Sequence, residues 1–403
     1  MPGTDCVTAP RTAARIASLR AFALQKIAVR CRGAALTGAR FGTPCAAPAT
    51  GAALGACLLD VAVAIGDDAA AAEFHDTGFC GDAGDAVETR IDDLLAKMTL
   101  ADKIAQMHGV TFPGPSYTAA DPAHGIPGLT MVDGPRGVGV TLGQATAFPV
   151  GAARGATWDP VLETRVGEAV GTEARAKGAD MILAPTINLL RHPRWGRAQE
   201  TYGEDTVHLG AMAVGYVRGA QQHVIANPKH FAGNSIENTR FDVNVSIDER
   251  TLREIYLPHF RRAVQEGHAA SLMSAYNKLN GTYCGENAHL LHDILKDDWG
   301  FQGFVESDWF FGTRSTTAPN AGLDIEMPIA LKFSTLAQEV QNGAVSQATI
   351  DAAVRRILRA QFCFRLDTDP PVVDPSQVET QAHKDLARDV AREAIVLLQN
   401  AGG

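Results

Sequence analysis

The chain of 403 residues is 46% hydrophobic and 20% charged, enough apolar sequence to bury a large core in one or two domains. Its formal net charge of -9 argues against nucleic acid or an anionic membrane surface as a partner, because both favour a basic protein face. The sequence contains no apolar run of about 18 residues that would span a bilayer, and its seven cysteines form no C-x-x-C pair. We therefore expect no metal and no cofactor. A homo-oligomer is compatible with the sequence.

Residues 1–85 have the composition of a leader. Up to Leu59 the only acidic residue is Asp5, while seven arginine and lysine residues are spread among alanine, glycine and threonine. We predict a targeting or disordered segment and exclude it from the fold. The stretch LGAC at 54–57 resembles a lipoprotein cleavage box only weakly, because no clean apolar run precedes it. The sequence leaves the location unknown, and such a leader favours the periplasm or the extracellular space over the cytoplasm.

From about Val87 the sequence alternates between helical patterns and short apolar runs. Val87 and Ile91 recur at helical spacing, and Thr99 with Asp102 forms a capping signal for a second helix through Met107. Apolar runs such as LTMV, MILAPTINL and AASLMSAYN then alternate with helical patterns, one of which runs from 247 to 265. Strand–helix repeats with short connections imply parallel strands, so the sequence favours an α/β fold with a (β/α)8 TIM-type barrel over 86–365.

Polar side chains follow these apolar runs directly, at the predicted carboxyl ends of the strands. They are Asp133 and Arg136, Asn188 and Arg191, Lys229 and His230, Tyr276 and Asn277, and Asp308. In a barrel these strand ends meet at one face, where active sites lie. Acids, cations and a phenol, with Trp195 and Trp309 as aromatic walls, are typical of a sugar pocket because charged groups bind hydroxyls and aromatic faces pack on the apolar ring.

Several long motifs occur in a characteristic order. They are DGPRG, NLLRHPRWGRAQETYGED, KHFAGNSIENTR, MSAYNKLNGTYCGEN, WGFQGFVESDW and GLDIEMP. In order and approximate spacing the chain resembles glycoside hydrolase family 3, of the β-glucosidase and β-xylosidase type. The resemblance implies a retaining, exo-acting hydrolase that cleaves terminal β-linked sugars from an oligosaccharide or β-glycoside, with a barrel followed by an α/β sandwich domain.

The resemblance also assigns roles to individual residues. Asp308 matches the nucleophile, which forms a covalent glycosyl-enzyme intermediate. The residues that match those holding the terminal sugar are Asp133, Arg191, Lys229, His230, Arg240 and Tyr276, and those that match pocket walls are Met273 and Trp309. Cationic neighbours such as Lys229 and Arg191 are expected to favour the ionised form of Asp308.

A retaining mechanism needs a second carboxyl group as general acid. Glu306 lies two residues before Asp308, on the same side of the strand but one layer deeper, so we interpret it as a buried partner of a cation. Glu200, Glu204 and Glu237 lie in motif loops and are expected to brace arginines. In glucosidase-type members of the family the acid/base is a glutamate of the domain after the barrel.

The segment after the barrel is predicted as a linker, 366–380, followed by the start of a second domain, 381–403. The sequence HKDLARDVAREAIVLLQN predicts a helix over 383–394 and a strand. We expect this domain to be truncated, its acid/base to be missing, and the apolar face of the helix to be exposed.

Two alternatives remain. One is a β-N-acetylglucosaminidase-type member of the family, whose Asp-x-His dyad is not found after the Lys229-His230 pair. The other is a sugar-binding barrel without turnover, which would tolerate the loss of Asp308.

Overall fold

The computed structural model describes residues 79–80, 84–113 and 116–401, which belong to one compact unit, Thr77–Gly403. The predicted leader lies outside the described residues, except for 79–80 and 84–85. The helices of the described ranges include none that is long and apolar enough to cross a membrane. Within these ranges the chain mixes helices with short strands.

The strands of the described chain are two to four residues long. They are β1 Ser116–Tyr117, β2 Thr130–Asp133, β3 Met181–Leu183, β4 Ile225–Ala226, β5 Asn244–Val245, β6 Ser271–Met273, β7 Lys278–Leu279, β8 Thr282–Tyr283 and β9 Phe304–Glu306. β2, β3 and β4 are parallel neighbours, and β6 is parallel to β9. β5, β7 and β8 form a separate small sheet.

Single backbone bridges connect the sheet of β1 to β4 with the pair of β6 and β9 and with the segments beside them. They pair Phe231 with Ser274, Glu306 with Ile325, His108 with Glu326 and Gly109 with Thr118. Neighbour contacts therefore lead from β1 through β2, β3, β4, β6 and β9 and back toward β1. β1 is antiparallel to β2, which differs from the expected all-parallel order. The connection over 118–129 contains no helix that could carry the chain back for a parallel pairing.

Ten α-helices are found in the described residues. They are α1 Gly84–Lys97, α2 Leu100–Ala105, α3 Gly151–Ala156, α4 Pro160–Ala176, α5 Thr206–Ala220, α6 Glu249–Thr251, α7 Pro258–Gln265, α8 Leu336–Gln341, α9 Gln347–Cys363 and α10 Gln381–Glu393. The predicted capping signal is confirmed, because the Thr99 hydroxyl accepts the Asp102 N–H while Asp102 accepts the Thr99 N–H. This helix ends at Ala105, two residues earlier than expected.

The helical pattern over 247–265 forms three pieces. α6 is followed by a π-helical segment, Leu252–Tyr256, and α7 starts at Pro258. Proline lacks the N–H that a continuous helix would use at this position, so the break falls there. A second π-helical segment spans His289–Asp298.

A disulfide joins Cys80 to Cys363 at the end of α9. Cys284 is a free thiol in the described chain, and its burial raises its pKa to about 12. The disulfide therefore ties the start of the described chain to the last helix before the predicted linker.

The predicted linker contains one short 3₁₀ turn, Pro375–Gln377. The expectation of an exposed apolar helix face is wrong for α10, because Leu386 and Val390 are buried in the same apolar cluster as Phe148. No strand follows α10 in the described residues: 395–398 are exposed and have no neighbouring strand to pair with.

Candidate active site

A cavity of about 310 Å³ lies at the carboxyl ends of the strands and contains most of the predicted site. Its predicted lining residues are Asp133, Lys229, His230, Arg240, Met273, Tyr276, Asp308 and Trp309. Asp133 is the last residue of β2, Met273 is the last of β6, and Asp308 follows β9 by two residues. Of the residues matched to family roles, Arg191 is the one that does not line this cavity, and the strand-end residues Arg136, Asn188 and Asn277 do not line it either.

Asp308 is buried and held in one orientation. Its Oδ1 accepts the backbone N–H of Trp309 at 2.8 Å, whereas Oδ2 makes no hydrogen bond to a described residue. Gly312 leaves room for the turn, because a Cβ there would lie 2.4 Å from the Asp308 backbone nitrogen. The carboxylate therefore has one oxygen anchored by the backbone and one buried oxygen without a hydrogen-bond partner among the described residues.

Burial raises the pKa of Asp308 above its usual range. The Tyr276 hydroxyl, the Trp309 N–H and the cations Lys229 and Arg197 act in the opposite direction, but burial outweighs them. Lys229 therefore favours the ionised form as expected, Arg197 acts where Arg191 was expected, and the two do not bring the pKa down to its ordinary value.

His230 faces Asp308, with Nε2 3.7 Å from Oδ2. The Asn188 side chain donates to the His230 carbonyl, so its oxygen accepts from His230 Nδ1 at 3.0 Å. His230 Nε2 then accepts from the Arg197 guanidinium at 2.9 Å. Burial, together with the nearby Arg197 and Lys229, lowers the pKa of His230 well below its usual range. The imidazole is therefore neutral, with its proton on Nδ1.

Asp133 and Lys229 form a charge pair in the cavity lining. Lys229 Nζ donates to Asp133 Oδ1 at 2.5 Å. The lysine side chain is 4% exposed, whereas that of Asp133 is 65% exposed. The protein environment raises the pKa of Asp133, but Lys229, with Arg197 and the Gly134 N–H, lowers it by more. Asp133 is thus an ionised carboxylate with a free oxygen to accept hydroxyl hydrogen bonds.

Arg240 completes the polar wall. Its Nη1 donates to Glu237 Oε1 at 2.5 Å, and its guanidinium lies 4.8 Å from the ring centroids of both Phe241 and Tyr276. Glu237 therefore braces an arginine as expected. The aromatic rings fix the position of the guanidinium on its other side.

Arg191 does not line the cavity, which corrects the sequence expectation. It is exposed, and its guanidinium lies 5.8 Å from the Tyr256 ring centroid. β3 ends at Leu183, and the chain turns away through Pro185 before it reaches Arg191. Arg191 follows an apolar run in the sequence, but it does not lie at the end of the strand.

Arg197 takes the place expected of Arg191. It lines the cavity and holds both oxygens of Glu200, with Nε at 2.9 Å and Nη2 at 2.7 Å. Glu200 raises the pKa of Arg197 further above its ordinary value, although burial opposes this. The i, i+3 spacing of Arg197 and Glu200 within the motif WGRAQE was the signal that could have identified it.

Other predictions for the motif loops differ from the structure. Trp195 is buried and lines a separate cavity of about 500 Å³. Phe112 and Thr141 line the cavity of about 310 Å³ and were not anticipated, because neither follows a predicted strand end. Glu204 is exposed and has no arginine partner in the described part of the chain.

Glu306 is buried and interacts electrostatically with Lys229, as expected, but it forms no hydrogen bond to a cation among the described residues. Its side chain is fully buried, and neither carboxyl oxygen has a hydrogen-bond partner among the described residues. Burial raises its pKa well above the usual range, the nearby Asp308 adds to this, and Lys229 only partly opposes it. Lys229 instead binds Asp133, and burial favours the protonated form of Glu306.

Among the described residues, His292, Asp293 and Asp297 have side chains close enough to share a metal ion. All three are exposed, and none of them lines the cavity that contains Asp308.

The chain matches the Glycosyl hydrolase family 3 N terminal domain over residues 115–360. It is 41% identical over 320 residues to a beta-glucosidase of Rhizobium radiobacter, covering 77% of this chain and 39% of that protein. A thermostable beta-glucosidase B of Acetivibrio thermocellus is 37% identical over 324 residues, covering 77% of this chain and 42% of the relative. The chain thus spans less than half the length of these relatives.

Solved structures agree with this match. DesR, a beta-glucosidase from Streptomyces venezuelae in complex with D-glucose, has a TM-score of 0.72 and 37% identity, over 78% of this chain and 42% of that one. Beta-glucosidase D2-BGL from Chaetomella raphigera has a TM-score of 0.74 and 36% identity, over 80% and 47%. The chain therefore belongs to glycosyl hydrolase family 3, through the N-terminal domain of that family.

Proposed function

We propose that this chain carries the nucleophile and sugar-binding half of a retaining, β-glucosidase-like glycoside hydrolase, built on a (β/α)8-type barrel. The observation that carries the proposal is the Asp308 carboxylate, with Oδ1 held by a backbone N–H and Oδ2 unbonded in the cavity. A retaining glycosidase needs a fixed carboxylate of this kind to attack the anomeric carbon. Oδ2 forms the glycosyl ester as the bond to the leaving oxygen breaks, and water later cleaves the ester.

The rest of the cavity suits a sugar ring. Asp133, Arg240 and the Lys229 ammonium offer charged hydrogen-bond partners for hydroxyl groups. Met273 and Trp309 offer apolar walls. The relatives named above are called beta-glucosidases, and one is bound to D-glucose, so a terminal β-linked glucose is the proposed substrate group.

Protonation of the leaving group is not assigned to a cavity residue. Asp133 and Asp308 are the acids among the described residues that line the cavity. Asp133 is ionised beside Lys229, and Asp308 is the proposed nucleophile. Glu200 and Glu237 are bound to arginines, and Glu306 is fully buried. The described site therefore supports the attack step better than the acid step, and we propose reduced turnover for poor leaving groups.

The test is an Asp308→Asn variant, which keeps the shape of the side chain and removes its charge. Turnover of 2,4-dinitrophenyl β-glucoside, whose phenol leaves without acid help, is expected to be lost, while calorimetry still detects glucose binding within a few-fold of the wild type. Unchanged turnover would remove Asp308 from the mechanism. Glucose binding without turnover in the wild type would instead favour the sugar-binding barrel.

A further inference from the structure

A buried carboxylate outside the sugar cavity connects two segments that are far apart in sequence. Glu173, on α4, has a side chain that is 1% exposed. Its Oε2 accepts the Thr146 N–H at 2.8 Å, and its Oε1 accepts the Thr146 hydroxyl at 2.6 Å. The same Oε1 accepts the Glu379 N–H at 2.9 Å and lies 2.7 Å from His383 Nδ1. One side chain thus binds the 146 region and the 379–383 region together.

These donors satisfy a group that would be costly to bury alone. Burial raises the pKa of Glu173, but the hydrogen bonds from His383 and Thr146 and the Glu379 N–H lower it by more. If one segment stops donating to Glu173, the buried carboxylate has fewer hydrogen-bond partners. Its position is then less well fixed for the donors of the other segment. The two sets of hydrogen bonds are therefore expected to strengthen one another.

One bound segment reaches the proposed active site, and the other lines a cavity beside it. The loop 134–148 begins directly after Asp133 and contributes Thr141 to the sugar cavity. An adjoining cavity of about 630 Å³ is lined by Asp133, by much of this loop and by Glu379. The loop has little regular structure of its own beyond a single 3₁₀ turn, Val140–Leu142. Its position therefore depends on contacts such as the one between Thr146 and Glu173.

Apolar contacts support the same connection. α10 buries Leu386 and Val390 in a cluster that contains Val138 and Phe148 of the loop. α10 begins one residue after Thr380, whose hydroxyl accepts the His383 N–H as the helix cap. The start of α10 is thus fixed by its own cap and by Glu173, and the helix body packs with the loop.

We propose that Glu173 is a positioning residue that couples the docking of the 379–393 segment to the order of loop 134–148, and through this loop to the sugar-holding end of the cavity. Other anchors of the loop remain: Arg154 donates to the Pro135 carbonyl and Lys177 to the Gln144 carbonyl, each at 2.7 Å. The loop therefore stays folded when the coupling is broken, but becomes more mobile around Thr146. The effect on sugar binding rests on the proposed function; the coupling itself does not.

The test changes residues of the 379–393 segment, which does not line the proposed sugar site. His383→Ala removes one donor to Glu173, while Lys384→Ala, an exposed neighbour in the same helical turn, is the matched control. Hydrogen exchange followed by mass spectrometry is expected to show faster exchange in both 379–390 and 134–148 for His383→Ala and no change for Lys384→Ala. His383→Asn, which returns an N–H donor near the Nδ1 position, should restore slow exchange in both segments.

Glucose affinity gives a second readout. The loss of one hydrogen bond at a coupled site is expected to weaken glucose binding about three- to tenfold in His383→Ala, and His383→Asn should recover most of it. Faster exchange confined to 379–390, with the loop unchanged, would overturn the coupling. A wild-type protein that binds no glucose would count against the proposed function, and the exchange result would still decide on the coupling.

Discussion

Arg197 Nη1 lies 2.9 Å from His230 Nε2, so a guanidinium donates to the imidazole that faces the proposed nucleophile. The same guanidinium holds both oxygens of Glu200. This arrangement keeps His230 neutral, because a protonated Nε2 would have to give up the hydrogen bond and stand beside a fixed positive charge. Arg197, held by Glu200, therefore adds to the burial that keeps His230 neutral, and together with Asn188 it orients the ring.

Replacing Arg197 by methionine should release His230 from this restraint. The pKa of His230 is expected to rise, because the variant removes a cation that lowers it. Glucose binding should weaken by about tenfold or more, since charge-assisted hydrogen bonds at the cavity are lost. NMR titration of the imidazole and calorimetry with glucose measure the two effects.

Arg191→Met is the matched control for this variant. Arg191 is exposed outside the cavity, so its loss should leave both the His230 titration and the glucose affinity unchanged. A large loss of glucose affinity in Arg191→Met, with little change in Arg197→Met, would show that Arg191 holds the sugar, as the sequence predicted, and that Arg197 does not.

Asp133→Ala should weaken glucose binding severely, by at least about a hundredfold, because it removes a charged acceptor and leaves the buried Lys229 ammonium without its partner. Calorimetry with a monosaccharide inhibitor gives the change in affinity. Asp242→Ala, at an exposed ion pair with Arg314, is the control and should bind normally. Unchanged affinity in Asp133→Ala would remove Asp133 from the site.

The pH dependence of the attack step should follow Asp308. A carboxylate attacks only when ionised, and burial raises this pKa, so the rate should fall with decreasing pH at a higher pH than for an ordinary aspartate. Tyr276→Phe removes a hydroxyl that lowers the pKa of Asp308, so its acidic limb should move to still higher pH. Inactivation rates with a 2-fluoro glycoside across pH measure this shift; a limb displaced to lower pH would contradict the assignment.

The rate should also depend strongly on the leaving group. A positioned general acid is typically worth about 10²- to 10⁴-fold, and the described cavity offers no free carboxyl for this role. Aryl glucosides whose phenols leave as anions should therefore react, while cellobiose should be nearly inert. Comparable turnover of both by the 403-residue chain would place an acid within it and contradict our reading of Glu306, Glu200 and Glu237.

The sequence predicted the cavity position of some strand-end side chains but not of all. Lys229, His230 and Asp308 follow their strands within a few residues, so the fold carries them into the cavity with little freedom to deviate. The prediction for Arg191 failed because this residue lies eight positions after the end of β3 at Leu183. Over such a distance the position depends on loop contacts, such as that of the Leu190 N–H with the Gly203 carbonyl, which hydrophobic patterns do not encode.

The same limit applies to the fold. Alternating apolar runs and helical patterns predicted the parallel neighbours β2, β3 and β4, but not the antiparallel β1, a two-residue strand with no helix before β2. The burial of Leu386 and Val390 against the cluster of Phe148 was also missed. Helical periodicity identifies an apolar face without identifying what covers it.

The most direct test of the central claim is covalent labelling. A 2-fluoro glucoside with a good leaving group needs little acid assistance, so it should form a stable glycosyl ester on this chain. Peptide mass mapping is predicted to find the label on Asp308 and to find none in Asp308→Asn. A label on another carboxylate, or no label on the folded wild-type protein, would contradict the assignment of Asp308 as the nucleophile.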